Sequence, residues 1–197
     1  MHDDVTNADF FGDKTVCFIG DSITEGTMNN GHGWYEYVTS NCTSVAKGGA
    51  TSESILTLMK DNVSDADVYV CAIGCNDIRY ADISADEYLS NIEKMVDMLS
   101  VHQNAELYFV SPWYTLPSDG NSGLLDYVSR NKAIETYNEV LQSYCDENGY
   151  HFVDTYTDLK LFFENCDNDR YYMVDGVHPN STTGIKLYGD IFMKNVK

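Results

Sequence analysis

In Phe18-Ile19-Gly20-Asp21-Ser22-Ile23-Thr24-Glu25-Gly26 an apolar run stops at Gly-Asp-Ser and gives way to residues that can open a helical turn. That run is the end of residues 14–20 (KTVCFIG), which read as a buried strand. Residues 43–49 (TSVAKGG) and 67–74 (DVYVCAIG) also end in glycine and are followed by helical patterns. Residues 105–112 (AELYFVSP) and 150–154 (YHFVD) read as a fourth and a fifth strand. Between them, Ser84-Ala85-Asp86-Glu87 has the form of a capping box, and Tyr88, Leu89, Ile92, Met95, Val96 and Leu99 follow at helical spacing to about His102. A longer helix is expected from about Leu124 to Asn148, with Ile134, Tyr137, Leu141 and Tyr144 inward and Gly149 as its stop. A last helix is expected from about Asn180 or Ser181, turning Ile185, Tyr188, Ile191 and Phe192 to the core. Strands apolar on both faces need cover on both. The alternation therefore predicts a parallel sheet of about five strands inside a three-layer α/β/α sandwich with right-handed crossovers. Ligands of such sheets bind beyond the carboxyl ends of the strands, which is where Ser22, Gly49 and Asn76 fall.

The 197 residues suffice for one sizeable core, and a single domain over 1–197 is expected, with 1–13 a peripheral N-terminal segment. Thirty-one acidic against twelve basic residues give a formal charge of −19, and no Lys/Arg cluster offers a local exception, so nucleic acid is excluded as a partner. No apolar segment approaches the roughly 20 residues needed to span a bilayer. The N-terminus, MHDDVTNADFF, is acidic where a signal peptide would be basic and then apolar. The expectation is a cytoplasmic protein or a domain excised from an exported one. Six scattered cysteines (17, 42, 71, 75, 145 and 166) make neither a disulfide scaffold nor a zinc site. Asp167-Asn168-Asp169 lacks the glycine and distant glutamate of a calcium loop. No metal and no cofactor is expected.

A serine nucleophile needs a base, a group to orient that base, and donors at the place where an oxyanion forms. Read locally, Asp21 or Ser22 is a helix cap. The same position after a strand would also let helix-end amides face a reacting group. Of the five histidines, His178 stands out, because it shares one short loop with Asp175 in Asp175-Gly176-Val177-His178-Pro179. Pro179 keeps His178 out of a helix, and the carboxylate can reach its Nδ1, leaving Nε2 for Ser22. Gly48-Gly49 would let backbone amides approach a ligand closely, or would be simply a tight turn. Asn76, in Gly74-Cys75-Asn76-Asp77, would offer an uncharged NH₂ donor or form an Asx-turn.

Taken together and in order, these blocks resemble the SGNH hydrolases, the GDSL-type esterase and lipase family. Gly20-Asp21-Ser22-Ile23-Thr24 is similar to its first block, Gly49 in Lys47-Gly48-Gly49-Ala50 to its second, Asn76 to its third, and Asp175 with His178 to its last. Trp34 resembles the aromatic that often opens the first helix of the family. Cys75 stands where the family often has threonine. The resemblance implies a flavodoxin-like sandwich and metal-free acyl transfer from an ester to water through an acyl-serine. Ser22 would be the nucleophile, His178 the general base and then acid, and Asp175 the orienting residue. The N–H groups of Ser22 and Gly49 and the Asn76 side chain would hold the oxyanion, with activity rising as His178 loses its proton.

No long apolar insertion suggests a lid, which points to a small acyl group such as acetyl. Asp21, Trp34, Trp113 and Tyr114 are candidate substrate-binding residues, the aromatics as platforms for a sugar ring unless they belong to the core. The expected substrate is a small or glycan ester, as in the acetylxylan and rhamnogalacturonan esterases the chain resembles. An O-acetyltransferase, a thioesterase or lysophospholipase, and a non-catalytic carbohydrate-binding relative are the alternatives.

Overall fold

The computed structural model describes residues 9–102, 104–119 and 123–196. Five strands, β1 (Val16–Gly20), β2 (Cys42–Ala46), β3 (Val68–Ala72), β4 (Glu106–Val110) and β5 (His151–Val153), form one sheet in the order β2-β1-β3-β4-β5. All four pairings are parallel. Helices flank the sheet as the sequence predicts. Among them α2 (Ser52–Asn62), α3 (Ala85–Leu99) and α4 (Tyr127–Asn148) pack in succession. A second group comprises α5 (Thr155–Glu164), α6 (Thr183–Asn195) and the 3₁₀ turn Trp34–Tyr37.

Register is what matters for function. Gly20, the last residue of β1, lies opposite Ala46 of β2 on one side and Ala72 of β3 on the other. Three adjacent strands therefore release the chain at one level, and the segments carrying Ser22, Gly49 and Asn76 leave from the same edge. β1 and β3 are buried at every position, as a doubly covered central strand must be.

β2 departs from expectation. It starts at Cys42 and stops at Ala46, and Thr43 and Ser44 are exposed, because an edge strand has a neighbour on one side only. Lys47-Gly48-Gly49 are then free to turn, with Gly49 in the left-handed region at φ 76°.

The capping box forms as read: Glu87 N–H donates to Ser84 Oγ (3.3 Å), and Ser84 N–H to Glu87 Oε2 (2.9 Å). The long helix begins at Tyr127 rather than Leu124, since Asp126 accepts from the N–H groups of Val128 and Ser129 (2.9 and 3.1 Å). Cys145 occupies its deepest C-terminal position and Tyr144 is half-buried. Gly149 ends it at φ 74°. The last helix starts at Thr183, after Asn180 Oδ1 has accepted from the N–H groups of Thr182 and Gly184 (3.2 and 2.9 Å). α5 has no counterpart among the expected helices: Asp154 follows β5 directly and itself caps α5, accepting from Thr157 N–H at 3.0 Å, so no loop marks the change. Residues 1–8 of the expected peripheral segment lie outside the described residues. Beyond them Phe11 packs edge-on against Tyr108 at 5.5 Å.

Candidate active site

Residue 22 opens a single helical turn, α1 (Ser22–Glu25). The capping residue is Asp21, whose Oδ1 accepts from Ile23 N–H at 3.0 Å, so cap and serine are neighbours rather than one residue. Gly20 has to be glycine here: a Cβ would overlap the Thr24 side chain and stand 2.8 Å from the carbonyl oxygen of Ala72.

Ser22 Oγ lies 2.9 Å from His178 Nε2, and His178 Nδ1 lies 2.9 Å from Asp175 Oδ2. Asp175 Oδ1 accepts from the N–H groups of Val177 and His178, both at 2.7 Å. Partial burial works to raise the Asp175 carboxyl, but the His178 ring and these two amides outweigh it and hold it at about 2. It therefore stays ionised beside the ring. The loop is pinned at both ends, by Val174 N–H to His178 O (2.9 Å) and by Asn29 Nδ2 to Pro179 O (2.9 Å). Of the other described histidines, His32 pairs with Glu36, His102 with Asp65, and His151 stacks on Tyr108 at 4.3 Å. His2 lies outside the described residues.

The donors gather on the other side of Ser22. Gly48 N–H is committed to Glu25 Oε2 (2.8 Å), whereas the N–H groups of Ser22 and Gly49 have no acceptor among the described residues. Asn76 is buried and gives one amide hydrogen to Ala50 O (2.9 Å), which fixes the side chain and leaves the second hydrogen available. Asp77, beside it, accepts from Ser52 N–H (3.0 and 2.9 Å to its two oxygens) and from the Ser52 hydroxyl, tying the start of α2 to the segment after β3. The Cys75 sulfur accepts from Trp113 N–H at 3.2 Å, and burial pushes its thiol well above the usual range. Asp77, Glu25, Ser52 and Asn29 hold the site together. Asp77, Glu25 and Ser52 stand in or beside the blocks read from the sequence and Asn29 does not, but the contacts of all four cross between segments and no local pattern encodes them.

Ser22, Gly49, Asn76, His178 and Asp21 line one cleft of about 230 Å³, whose other walls are largely apolar: Ile23, Met28, Ile78, Ile134 and Val177. Asp21 is 1% exposed, and its Oδ2 has no hydrogen-bond partner among the described residues. Burial lifts its carboxyl to about 6, against the pull of Ile23 N–H and of His178. The aromatic platforms are not there. Trp34 is fully buried and Trp113 is 2% exposed; their rings meet edge to face at 5.4 Å and pack on Phe192 (5.0 Å) and Tyr188 (4.7 Å) of α6. Tyr114 is buried against Tyr156 at 5.8 Å. The two tryptophans pack against α6 and Tyr114 against α5, and none of the three lines the cleft.

A hydroxyl within hydrogen-bond reach of an imidazole that is itself held by a carboxylate can give up its proton during attack on a carbonyl. The arrangement suits acyl transfer. The acetylxylan esterase Axe2 from Geobacillus stearothermophilus superposes with a TM-score of 0.73 at 18% identity, over 93% of this chain and 94% of that one. A member of the lipolytic G-D-S-L family from Veillonella parvula DSM 2008 gives a TM-score of 0.69 at 19% identity, over 91% and 96%. At these identities the likeness speaks for the fold. No curated protein sequence matches the chain. The family described as GDSL-like Lipase/Acylhydrolase matches residues 18–183, from the strand before Ser22 to the first residue of α6. With the blocks in order and most of the chain matched, this protein belongs to the GDSL-like lipase/acylhydrolase family.

Proposed function

We propose that the protein is a serine ester hydrolase that removes small acyl groups, acetyl above all, from a carbohydrate. The observation that carries this reading is the line Ser22 Oγ, His178 Nε2, His178 Nδ1, Asp175 Oδ2, two successive contacts of 2.9 Å. In the proposed cycle His178 takes the Ser22 proton as Oγ attacks the ester carbonyl. Asp175 keeps the ring in the tautomer with hydrogen on Nδ1 and stabilises the imidazolium. The tetrahedral oxyanion is held by the N–H groups of Ser22 and Gly49 and the free hydrogen of Asn76 Nδ2. Collapse expels the alcohol, protonated by His178, and water then attacks the acyl-serine with His178 as base.

Cavity shape supports the small acyl group. About 230 Å³ falls below the roughly 300–1,000 Å³ of pockets that take drug-sized ligands. A second cavity of about 460 Å³ shares Gly48 and Gly49 with the cleft and is lined by Lys47, Thr57, Asp61 and Asn62, polar groups suited to a hydroxylated alcohol. A panel of p-nitrophenyl esters of rising chain length, with acetylated oligosaccharides, tests the reading. Acetate should be the best p-nitrophenyl ester and the oligosaccharides should release free acetate. A preference for long chains, or acetyl transfer to sugar in place of release, would overturn it.

A further inference from the structure

The loop between β4 and α4 supplies none of the proposed catalytic groups, yet it touches both halves of the site. Its 3₁₀ turn, Pro117–Asp119, ends in a carboxylate that takes two arginines: Oδ1 accepts from Arg79 Nη2 at 2.6 Å, and Oδ2 accepts from Arg130 Nη1. The three side chains are 4%, 11% and 2% exposed for Asp119, Arg79 and Arg130, so the cluster is almost wholly withdrawn from water. Two of the three arginines in the chain are in it, and both line the catalytic cleft.

The two partners come from different places. Arg79 lies in the π-helical turn Asp77–Ala81, one turn beyond Asn76; Arg130 lies in the first turn of α4. On its other side the same loop meets the acid–base segment. A Cβ on Gly176 would overlap the backbone of Asp119, with Asp119 Cα at 2.5 Å, so the loop packs directly against the residue that follows Asp175. Leu116 N–H donates to Gly176 O (2.8 Å), and Asp119 N–H donates to Leu116 O (3.1 Å). Asn131 of α4 braces the loop again, giving Nδ2–H to Thr115 O (2.7 Å) and accepting from Thr115 N–H (3.0 Å).

We propose that Asp119 is a positioning residue that couples the Asn76 turn to the Asp175–His178 loop, holding oxyanion donor and base in mutual register through Arg79 on one side and Gly176 on the other. The inference rests on the roles proposed above for Asn76 and His178. A buried ion cluster is a costly way to gain stability, because well-packed apolar residues of similar volume often do as well or better. What it provides is geometry. A carboxylate taking two guanidiniums fixes two elements at once, and misplacement by about 1 Å far from the chemistry can cost about 100-fold in rate.

The test is a double-mutant cycle in folded protein, with kcat and KM measured on p-nitrophenyl acetate. Asp119→Asn keeps the volume and removes the charge. It should lower kcat by about 10- to 100-fold with KM changed less than about twofold. In an Asn76→Ala background, where the donor to be positioned is gone, the same substitution should lower kcat by less than about threefold. If Asp119→Asn does not fold, Arg79→Lys, which keeps the charge and loses the planar fork, is read in the same two backgrounds with the same expected losses. Unchanged kcat in the folded variant, or an equal loss in both backgrounds, overturns the proposal, since a purely structural defect is indifferent to Asn76. If Ser22→Ala keeps wild-type activity, the functional reading fails and the positioning role falls with it, an outcome distinct from an additive cycle.

Discussion

The stability of Asp21→Asn relative to the wild type should increase as pH rises. Asp21 is 1% exposed, caps α1 through Oδ1, and carries an Oδ2 with no partner among the described residues. Burial lifts its carboxyl from 3.8 to about 6; Ile23 N–H and His178 oppose the rise, and Asp77 adds to it. Between those values the folded chain binds a proton that the unfolded chain has lost, so stability falls as pH rises through this window and stays lowered above it. At about 1.4 kcal/mol per pH unit, ionised Asp21 costs the wild type less than about 1 kcal/mol at pH 4 and about 3 kcal/mol at pH 8. Asparagine caps helices as well as aspartate does and has nothing to ionise. The cost of its buried NH₂ is the same at every pH. The measured quantity is therefore the difference in urea-unfolding free energy between variant and wild type, which should move in the variant's favour by about 2–3 kcal/mol from pH 4 to pH 8. A difference constant to within about 0.5 kcal/mol, or one growing towards acid, would refute the reasoning.

Asn76→Ala should lower kcat by about 100- to 1,000-fold while KM changes little, and steady-state kinetics showing an unchanged kcat would remove Asn76 from the oxyanion site. Gly20→Ala forces a Cβ to 2.8 Å from Ala72 O and should destabilise by about 1–3 kcal/mol in urea titrations. Trp34→Ala should cost about 3–5 kcal/mol of stability, whereas a folded Trp34→Phe protein should keep its KM for acetylated oligosaccharides within about twofold, as a core residue would and a sugar platform would not. Asp175 has its carboxyl lowered to about 2, so the stability it contributes is present above its ordinary value of 3.8 and lost as pH falls towards 2. Asp175→Asn should accordingly make acid unfolding over that window shallower.

Strand order could be inferred only as a parallel sheet, but the members of the sheet were legible because β1 and β3 are buried at every position and so read as unbroken apolar runs. β2 misled at its boundary, where an edge strand exposes Thr43 and Ser44 and mimics the loop that follows. Ser22, Gly49, Asn76, Asp175 and His178 were visible as short blocks, because each sits where a strand or a proline fixes the backbone locally. The tryptophans stood between core and sugar platform, since a buried ring and an exposed platform look alike until α6 is seen to cover them. Asp77 on Ser52, Asn29 on Pro179 and Asp119 on its two arginines were beyond reach: each contact spans 11 to 150 residues and leaves no periodic trace. The family supplied what local reading could not, by making five separate short signals into one.

The acyl-serine itself is the most direct test of the account. Wild-type protein mixed with p-nitrophenyl acetate, quenched in acid within the first turnovers and digested, should carry an acetyl group on the peptide containing Ser22, and Ser22→Ala should carry none and release no p-nitrophenol above background. Acetylation at any other residue on the turnover timescale, or sustained turnover by Ser22→Ala, would contradict it.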